Sequence, residues 1–204
     1  MRVFYFFIFL FFILFLILFS YFFIDKNLII LINQSLSPAQ IHGFNLFTQI
    51  GNGWVSGIIF VLGFLYFKWK GIAQGQRKSL YLLSSFLISG FIADLLKNIL
   101  GRARPELLIQ HNLFGFYFFK FHALYWSFPS GHSATLGACG MGLFLIFKNF
   151  KYKALFLIFA FLISACRVLA LAHYPSDVLA GFYLGCMSSI FIYPVFYKKL
   201  KIKN

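Results

Sequence analysis

The residues best suited to chemistry fall in three short polar clusters separated by long apolar stretches. The first cluster is KNILGRARP, in which Lys97 and Arg104 lie seven positions apart. On a helix that continued through this stretch, seven residues make about two turns, so both cations would project to one side. Taken alone, the pair is equally well explained as side chains that reach from the end of a membrane span to the interface.

The second cluster is FPSGHSATLG, at residues 128–137. Pro129 and Ser130 indicate a helix start with Ser130 as the N-cap, and Gly131 allows a bound group to approach the backbone closely. The free amides and the positive dipole end of such a helix start form an anion site, and His132 would stand beside the anion. The simpler interpretation is a capped span with an interfacial histidine.

The third cluster is CRVLALAHYPSDVLAG, from Cys166 to Gly181. It places Arg167 before a loop, and His173 and Asp177, four residues apart, after it. Ionisable groups so close to hydrocarbon are costly unless they pair or serve a function. A carboxylate at this spacing can hold an imidazole N–H, fix its tautomer and raise the basicity of the other ring nitrogen.

Together the three clusters predict a phosphate site with reactive groups beside it. Arginine offers paired donors to phosphate oxygens and lysine a point charge, so Lys97, Arg104 and Arg167 can share the oxygens of a transferring phosphoryl group. No carboxylate cluster suited to Mg²⁺ accompanies them, because the acidic residues are dispersed along the chain: Asp25, Asp94, Glu106 and Asp177. The sequence therefore predicts a reaction that uses no metal ion and no other cofactor.

The elements that carry these clusters are apolar segments of membrane length. Of the 204 residues, 61% are hydrophobic and only 11% are charged, against roughly 25% charged residues in soluble proteins. Lipid offers the backbone no hydrogen-bonding partners and the alternation of a barrel strand is absent, so these segments must be helices. The predicted fold is a single all-α domain over residues 1–204, a membrane bundle of about six transmembrane helices. The segments lie at about residues 3–24, 53–68, 79–98, 130–147, 154–172 and 178–197.

The N-terminal segment, Val3 to Ile24, is predicted to remain as a span. A cleaved signal peptide has an apolar region of only about 7 to 15 residues and a site of small residues, whereas this segment ends in FSYFFIDKN. Residues 25–52 contain a weakly amphipathic stretch, LIILINQSL, which is expected to lie in the plane of the membrane interface.

The distribution of Lys and Arg predicts the orientation of the bundle. The net charge of +14 does not indicate a nucleic-acid partner, because the basic residues gather at the ends of the apolar segments. With both termini in the cytoplasm, most of the 18 Lys and Arg residues fall on the cytoplasmic side, as the positive-inside rule requires. Six basic residues fall on the opposite side, and most of them call for a reason other than topology: Lys26, Lys97, Arg102, Arg104, Lys120 and Arg167.

The three clusters resemble, in order and spacing, the motifs of the type 2 phosphatidic acid phosphatases. That superfamily also contains the vanadium haloperoxidases and bacterial acid phosphatases. Its pattern of Lys, six residues and Arg-Pro is matched from Lys97 to Pro105, and its Pro-Ser-Gly-His by residues 129–132. Its pattern of Arg, five residues, His, three residues and Asp is matched from Arg167 to Asp177. The resemblance is strong over about residues 79–190.

One position departs from the family pattern. Cys166 precedes the arginine of the third motif, where the family usually has serine. A thiol is a weak hydrogen-bond donor, but no catalytic role belongs to this position. The three cysteines, Cys139, Cys166 and Cys186, are odd in number and scattered, so the sequence predicts neither a disulfide framework nor a metal cluster.

The resemblance implies a role for each matched residue. His173 attacks phosphorus and forms a phosphohistidine, Asp177 orients it, and His132 protonates the departing oxygen. The remaining residues of the motifs bind the phosphoryl oxygens: Lys97, Arg104, Arg167, Ser130 and the amide of Gly131.

The function that the resemblance implies is that of an integral membrane lipid phosphatase. It would act at the non-cytoplasmic face of the plasma or inner membrane, with a lipid phosphate and the bilayer as its partners and no obligate protein partner. Undecaprenyl diphosphate, phosphatidylglycerol phosphate, phosphatidic acid and lipid A phosphates are all candidate substrates.

Three alternative functions remain open. A transporter or channel would place its charges near the middle of the spans, whereas Lys97, His132 and His173 fall near their ends. A vanadate-dependent peroxidase is compatible with the motifs, although a small chain embedded in the membrane suits a lipid substrate better. An inactive structural subunit would be expected to lack a histidine or a phosphate-binding cation, and none is missing.

The segment LFGFYFFKFHALYWSF, from Leu113 to Phe128, joins the first motif to the second. It is too short and too interrupted to span the membrane, yet too aromatic for a solvated loop. We expect it at the outer interface beside the phosphate site, where it either contacts the acyl or prenyl chain of the substrate or only anchors the protein.

Overall fold

The computed structural model describes the backbone of residues 2–200, with the side chains of residue 5 and residues 7–196. Within this part the chain is helical, and an isolated bridge between Arg102 and Phe116 is its one β-type pairing. The α-helices are α1 (Arg2–Phe19), α2 (Asp25–Ser35), α3 (Pro38–Thr48), α4 (Gly53–Trp69), α5 (Ala73–Leu100), α6 (Pro105–His111), α7 (Gly131–Ile146), α8 (Phe150–Leu169) and α9 (Pro175–Leu200). A π-helical turn, Ser20–Ile24, joins α1 to α2, and short 3₁₀ turns lie at Gln49–Gly51 and Ala123–Tyr125.

The long helices confirm the predicted all-α membrane bundle. Five stretches of the described residues are long and apolar enough to cross a bilayer: Phe7–Ser35, Pro38–Trp69, Ala73–Leu100, Phe150–Leu169 and Pro175–Phe196. The remaining predicted segment corresponds to α7, whose 16 residues rise about 24 Å at 1.5 Å each. That is shorter than a hydrocarbon core of about 30 Å, and α7 is largely enclosed by the other helices.

Helices α7 and α9 pack so closely that their backbones touch. A Cβ atom built on Gly181 would lie 2.3 Å from the carbonyl oxygen of Ser130, and one on Gly185 would lie 2.1 Å from that of Ala134. Small residues at helix contacts permit this approach in membrane bundles. As a result, the start of α7 meets the start of α9, where Ser130 N donates to the carbonyl oxygen of Asp177 at 3.0 Å.

The N-terminal part of the chain differs from the sequence-based expectation. The stretch LIILINQSL does not form a separate interfacial element, because the first helix continues through the π turn into α2 and ends at Ser35. Ile29 and Ile32 are buried in a hydrophobic cluster with Tyr174 and Val178. Tertiary packing against the start of α9 therefore determines where this stretch lies.

The outer surface of the bundle is covered with large apolar side chains. Phe11, Phe22, Phe91 and Phe191 are each exposed, although burying such side chains from water is favourable. An apolar surface of this extent is expected of a protein surrounded by lipid. The cytoplasmic location of the two termini stays a prediction, and Lys201 and Lys203, on which it partly depends, lie outside the described residues.

Candidate active site

The three motifs meet at one end of the bundle. Lys97 lies in the last turn of α5, Arg104 directly before α6, and Arg167 in the last turn of α8. The motif of residues 129–132 starts α7, and His173 lies in the turn that precedes α9. His132 lies close enough to four of these residues to interact with them electrostatically: Lys97, Arg104, Arg167 and His173. The structure thus places the predicted site residues together.

The first motif reaches the site by a different path from the predicted one. Helix α5 ends at Leu100, and Gly101 follows with a φ of 57°, a left-handed conformation that favours glycine. Arg104 is consequently not two helical turns beyond Lys97 but occupies the N-cap position of α6. The condition under which the spacing would align the two cations, a helix that continues to Arg104, is not met; the turn at Gly101 instead brings Arg104 back to the site.

Lys97 lies against the start of α7. A Cβ atom on Gly131 would be 2.8 Å from Lys97 Nζ, so the absence of a side chain at Gly131 leaves room for the ammonium group. The same ammonium group forms an ion pair with Asp94 Oδ1 at 2.9 Å, and the Asp94 side chain is exposed. The lysine charge is therefore held beside the first amides of α7.

Ser130 caps α7, as the sequence predicted. Its Oγ accepts hydrogen bonds from the backbone N–H of Ser133 at 3.4 Å and from Ser133 Oγ at 3.0 Å. Helix starts leave further N–H groups without intrahelical partners, and those of Gly131 and His132 belong to this first turn. The start of α7 can therefore offer backbone donors and a positive dipole end to an anion.

Arg167 is oriented by helix α3, which sequence reasoning did not connect with the site. Its Nη1 donates to Asn45 Oδ1 at 3.0 Å and to Thr48 Oγ1 at 2.9 Å. Asn45 and Thr48 lie three residues apart and therefore on one face of α3. A pair of polar side chains on one face of a mainly apolar segment is the signal that could have identified them.

Several buried donors of the site have no protein partner. Within the described part of the chain, Arg104 Nε, Arg167 Nε and His132 Nε2 are buried without a hydrogen-bonding partner. Buried polar atoms are nearly always hydrogen-bonded, so each unpartnered atom calls for an explanation. A bound oxyanion between the two arginines and the histidine would satisfy them.

The ring of His173 is held at one nitrogen. Its Nδ1 lies 2.8 Å from the carbonyl oxygen of Ser127, so Nδ1 carries the proton and donates it, which leaves the lone pair on Nε2. Asp177 Oδ2 is 3.6 Å from the same Nδ1, so the expected carboxylate contact is present but longer than the bond to Ser127. Burial lowers the pKa of His173 to about 4 although Asp177 opposes the shift, and the ring is neutral at physiological pH.

Asp177 has several other partners besides His173. Its Oδ2 accepts from Ser127 Oγ at 2.6 Å and from the backbone N–H of Tyr174 at 2.9 Å, and its Oδ1 accepts from Arg102. Sequence reasoning identified Arg102 only as a cation on the non-cytoplasmic side and gave Ser127 no role. Arg102 and Ser127 both contact Asp177 from distant parts of the chain, so no local sequence pattern reveals these contacts.

The segment of residues 113–128 wraps around the end of α5 and the first motif. Backbone N–H groups of Arg104 and Ser127 donate to the carbonyl oxygens of Leu124 and Arg102, at 2.9 and 3.1 Å respectively. The segment contains no helix longer than the 3₁₀ turn Ala123–Tyr125. Its most exposed aromatic side chains lie together in sequence: Phe118, Phe119 and Phe121.

No metal-binding group is found among the residues that the structure describes: nowhere do three His, Cys, Asp or Glu side chains come together in an arrangement that could hold an ion. The donor set of the site consists instead of arginine, lysine, histidine and backbone N–H groups, which bind anions.

Comparison with known proteins identifies the family. The sequence model of the PAP2 superfamily matches residues 78–201, which include all three motifs. The chain belongs to the PAP2 superfamily. A lipid A 1-phosphatase of Rhizobium johnstonii is 34% identical over 194 residues, which cover 85% of this chain and 79% of the relative. The resemblance of the motifs is thereby confirmed, and the protein is a membrane lipid phosphatase of the PAP2 type.

Two solved structures share the fold. The crystal structure of Aquifex aeolicus LpxE superposes with a TM-score of 0.63 and 24% identity, over 85% of this chain and 96% of the other. The PAP2-type phosphatidylglycerolphosphate phosphatase of Bacillus subtilis gives a TM-score of 0.56 and 20% identity, over 88% and 87% of the two chains. At these identities the structures establish the common PAP2 membrane fold.

Proposed function

We propose that this PAP2 phosphatase hydrolyses its lipid substrate through a covalent phosphohistidine on His173. The observation that carries the proposal is the hydrogen bond of 2.8 Å between His173 Nδ1 and the carbonyl oxygen of Ser127. Because this bond uses the ring N–H, the lone pair of Nε2 is free to attack phosphorus. The lowered pKa of His173 keeps that lone pair unprotonated at neutral pH.

In the first step, a bond forms between His173 Nε2 and phosphorus while the bond from phosphorus to the leaving oxygen breaks. His132 enters this step as the imidazolium, a form that the negative charge of the bound phosphate favours, and donates its proton to that oxygen. A lipid alcohol therefore leaves from a monoester and a lipid monophosphate from a diphosphate. The charge that develops on the other phosphoryl oxygens is balanced by five groups: Lys97, Arg104, Arg167, Ser130 and the amide of Gly131.

In the second step, water attacks the phosphorus of the phosphohistidine. His132, now neutral, accepts a proton from the water as the bond between phosphorus and Nε2 breaks. Inorganic phosphate leaves, and His173 returns to its starting tautomer with the proton on Nδ1. Asp177 orients the His173 ring. It lies 3.6 Å from Nδ1 and accepts hydrogen bonds from Ser127 Oγ and from the backbone N–H of Tyr174.

The formal positive charges of the proposed site belong to side chains. Lys97, Arg104 and Arg167 can neutralise the phosphoryl oxygens, a task that Mg²⁺ performs in many other phosphoryl-transfer enzymes. The proposed reaction therefore requires no metal ion.

Among the candidate lipids, we favour lipid A that carries a phosphate at its 1-position. The support is the relative from R. johnstonii, whose name states this activity and which aligns with 85% of the chain. A similar phosphoryl group is present in undecaprenyl diphosphate, phosphatidylglycerol phosphate and phosphatidic acid. The proposed site residues bind only this phosphoryl group, so they do not distinguish among the lipids.

A substrate panel tests this proposal. Purified protein in detergent is incubated with each of the four lipids, and released phosphate is measured with and without EDTA and vanadate. We expect the highest kcat/KM with lipid A 1-phosphate, unchanged activity in EDTA, and inhibition by vanadate. A higher kcat/KM with another lipid would refute the substrate assignment, and activity that needs added Mg²⁺ would refute the metal-free site. Halide oxidation by the vanadate-loaded protein would favour the peroxidase alternative.

We place the site on the periplasmic or exterior side of the plasma or inner membrane. The support is the distribution of Lys and Arg, which gather at the opposite ends of the spans. Lys120, exposed in the segment beside the site, provides the test. A cysteine in its place should react with a membrane-impermeant maleimide in intact cells, and reaction only after lysis would reverse the orientation.

A further inference from the structure

Arg102 lies fully buried between two carboxylates from distant parts of the sequence. Its Nη2 donates to Asp25 Oδ2 at 2.7 Å, and its Nη1 donates to Asp177 Oδ1 and, at 2.6 Å, to Ser176 Oγ. The side chains of Asp25, Arg102 and Asp177 have no exposure to solvent. They form one buried ion-pair network with Arg102 at its centre.

An irregularity in the first long helix holds Asp25 in this network. The π-helical turn Ser20–Ile24 ends directly before Asp25, and Ser20 Oγ donates to Asp25 Oδ1 at 2.8 Å. On a regular α-helix the neighbouring side chains are three and four residues apart, so residues five apart do not face each other. The π turn brings Ser20 and Asp25 together, and such turns are frequent at functional sites.

The network reaches His173 by two routes. One passes through Asp177 to Ser127, whose Oγ donates to that carboxylate at 2.6 Å and whose carbonyl oxygen holds the His173 ring. The other passes through Asp25 to Ser176, whose backbone N–H and Oγ both donate to the Asp25 carboxylate. The network therefore holds the His173 ring through Ser127 and the turn that carries His173 through Ser176.

Aromatic rings enclose the guanidinium group of Arg102. The ring centroids lie between 4.4 and 6.0 Å from its central carbon and belong to Tyr21, Phe114, Phe116, Phe128 and Tyr174. Cations are attracted to the faces of such rings. Burial alone would lower the pKa of Arg102, but Asp177 and Asp25 hold the pKa above its ordinary value. The guanidinium group therefore remains charged inside an apolar enclosure.

Fold stability alone does not account for this network. Each buried charge costs several kcal/mol of desolvation, and apolar side chains of the same volume often stabilise a protein equally well. An acidic residue inside a long apolar helix is expensive and is usually retained for function. Within the described chain, Asp25 is hydrogen-bonded to Ser20, Arg102 and Ser176, none of which is assigned to the phosphate.

We propose that Asp25 and Arg102 are positioning residues for the nucleophile. They hold Asp177 and the turn on which His173 lies, so that Nε2 stays aligned with phosphorus. The network also has one more negative than positive charge, which favours the positive charge that develops on the His173 ring as Nε2 bonds to phosphorus. This inference rests on the proposed role of His173 as the nucleophile.

The variant Asp25→Asn tests the inference, because it keeps the shape of the side chain and removes one charge. We expect kcat for a lipid phosphate to fall about 10- to 100-fold, the scale of loss that a small misplacement of reacting groups causes. KM should stay within about twofold, because the phosphate ligands are untouched. Lys26→Gln is the matched control, since it changes one charge at the next, exposed position of the same helix and should leave kcat unchanged.

A second variant, Ser176→Ala, tests the positioning role if Asp25→Asn does not fold. Ser176→Ala removes the hydroxyl that links Arg102 to Asp25 but keeps all three charges, and it should lower kcat by a smaller factor without raising KM. Folding is checked by thermal unfolding and by gel filtration in detergent. Wild-type kcat in either folded variant, or a loss seen mainly in KM, would overturn the positioning role.

The outcome for His173→Ala separates this inference from the proposed function. If His173→Ala is inactive and Asp25→Asn has wild-type kcat, the phosphohistidine proposal stands and the positioning role fails. If folded His173→Ala remains active, the nucleophile is wrongly assigned and the inference falls with it.

Discussion

At the residue scale, the two histidines of the site differ in what holds each ring. His173 is fixed through Nδ1 by the carbonyl oxygen of Ser127, which leaves Nε2 free for attack. His132 has a buried Nε2 without a partner in the described protein, and it interacts with the charges of the surrounding cations. The environment of His173 agrees with a role as nucleophile. The unpartnered Nε2 of His132 agrees with proton exchange once a bound phosphate offsets the charge of the surrounding cations.

Replacing His132 with Ala should reduce the rate in a way that depends on the leaving group. An alkyl phosphate needs a proton on its departing oxygen, so its kcat should fall by about 10²- to 10⁴-fold. An activated aryl phosphate leaves readily without a proton, so its kcat should fall much less. Steady-state kinetics with both esters measure the difference, and equal losses would show that His132 is not the general acid.

The sequence could predict the residues proposed to bind the phosphate but not the residues that hold their side chains in place. The spacings of Lys97 to Arg104 and of Arg167 to Asp177 identify a family, because each lies within one short motif. The contact of Arg167 with Thr48 joins residues 119 positions apart, and that of Asp25 with Ser176 joins residues 151 positions apart. Such contacts depend on how the helices pack, which no local pattern encodes.

At the element scale, the contact between α7 and α9 sets the geometry of the site. Gly181 lies directly against the backbone of Ser130, the N-cap of α7, so the two helix starts are as close as their main chains allow. This contact places the start of α7, the proposed anion site, beside the turn that carries His173. The close approach requires glycine, because any side chain would meet a backbone carbonyl that cannot move aside independently.

The variant Gly181→Ala should therefore lower kcat/KM by about 10- to 100-fold, because the added methyl group displaces the start of α7 from His173. Gly90→Ala on α5 is the matched control, since a Cβ there meets no atom within 4 Å. Alanine at Gly90 should leave activity unchanged and raise the stability of the helix by up to about 1 kcal/mol. Equal activity in the two variants would show that the contact between α7 and α9 does not position the site.

The positions of the apolar helices along the chain were more predictable than their ends and irregularities. The apolar segments near residues 79–98 and 154–172 appear as α5 and α8, because length and composition determine a membrane helix. The end of α5 at Gly101 and the π turn at Ser20–Ile24 were not foreseen. Both depend on contacts with other parts of the chain, including residues 115–119 for the end of α5 and α9 for the π turn.

At the scale of the whole molecule, the segment of residues 113–128 has two sets of aromatic side chains. Phe114, Phe116 and Phe128 face the buried Arg102, and a second set of phenylalanines points outward. The backbone N–H groups of Phe118 and Phe119 donate to the carbonyl oxygens of Leu100 and Ile99, so the outward rings lie beside the end of α5 that carries Lys97. They are positioned either to contact the apolar chains of the lipid substrate or to anchor the protein in the interface.

Replacing Phe118, Phe119 and Phe121 together with Ser separates these two roles. If the rings contact substrate, kcat/KM should fall for a long-chain lipid phosphate and stay unchanged for a short soluble phosphate ester, which has no apolar tail to bind. Phe150→Ser, at the opposite end of α8 from Arg167, is an exposed control and should affect neither substrate. A parallel fall for both substrates, or no change, would assign the segment to anchoring.

The phosphohistidine mechanism requires a bond between His173 Nε2 and phosphorus, and phosphate release by folded His173→Ala shows whether turnover depends on that bond. We expect a rate at least about 10³-fold below wild type with lipid A 1-phosphate, because loss of the nucleophile removes the covalent pathway. His111→Ala, an exposed histidine on α6, should release phosphate at the wild-type rate. A rate for His173→Ala within about tenfold of wild type would contradict the phosphohistidine mechanism.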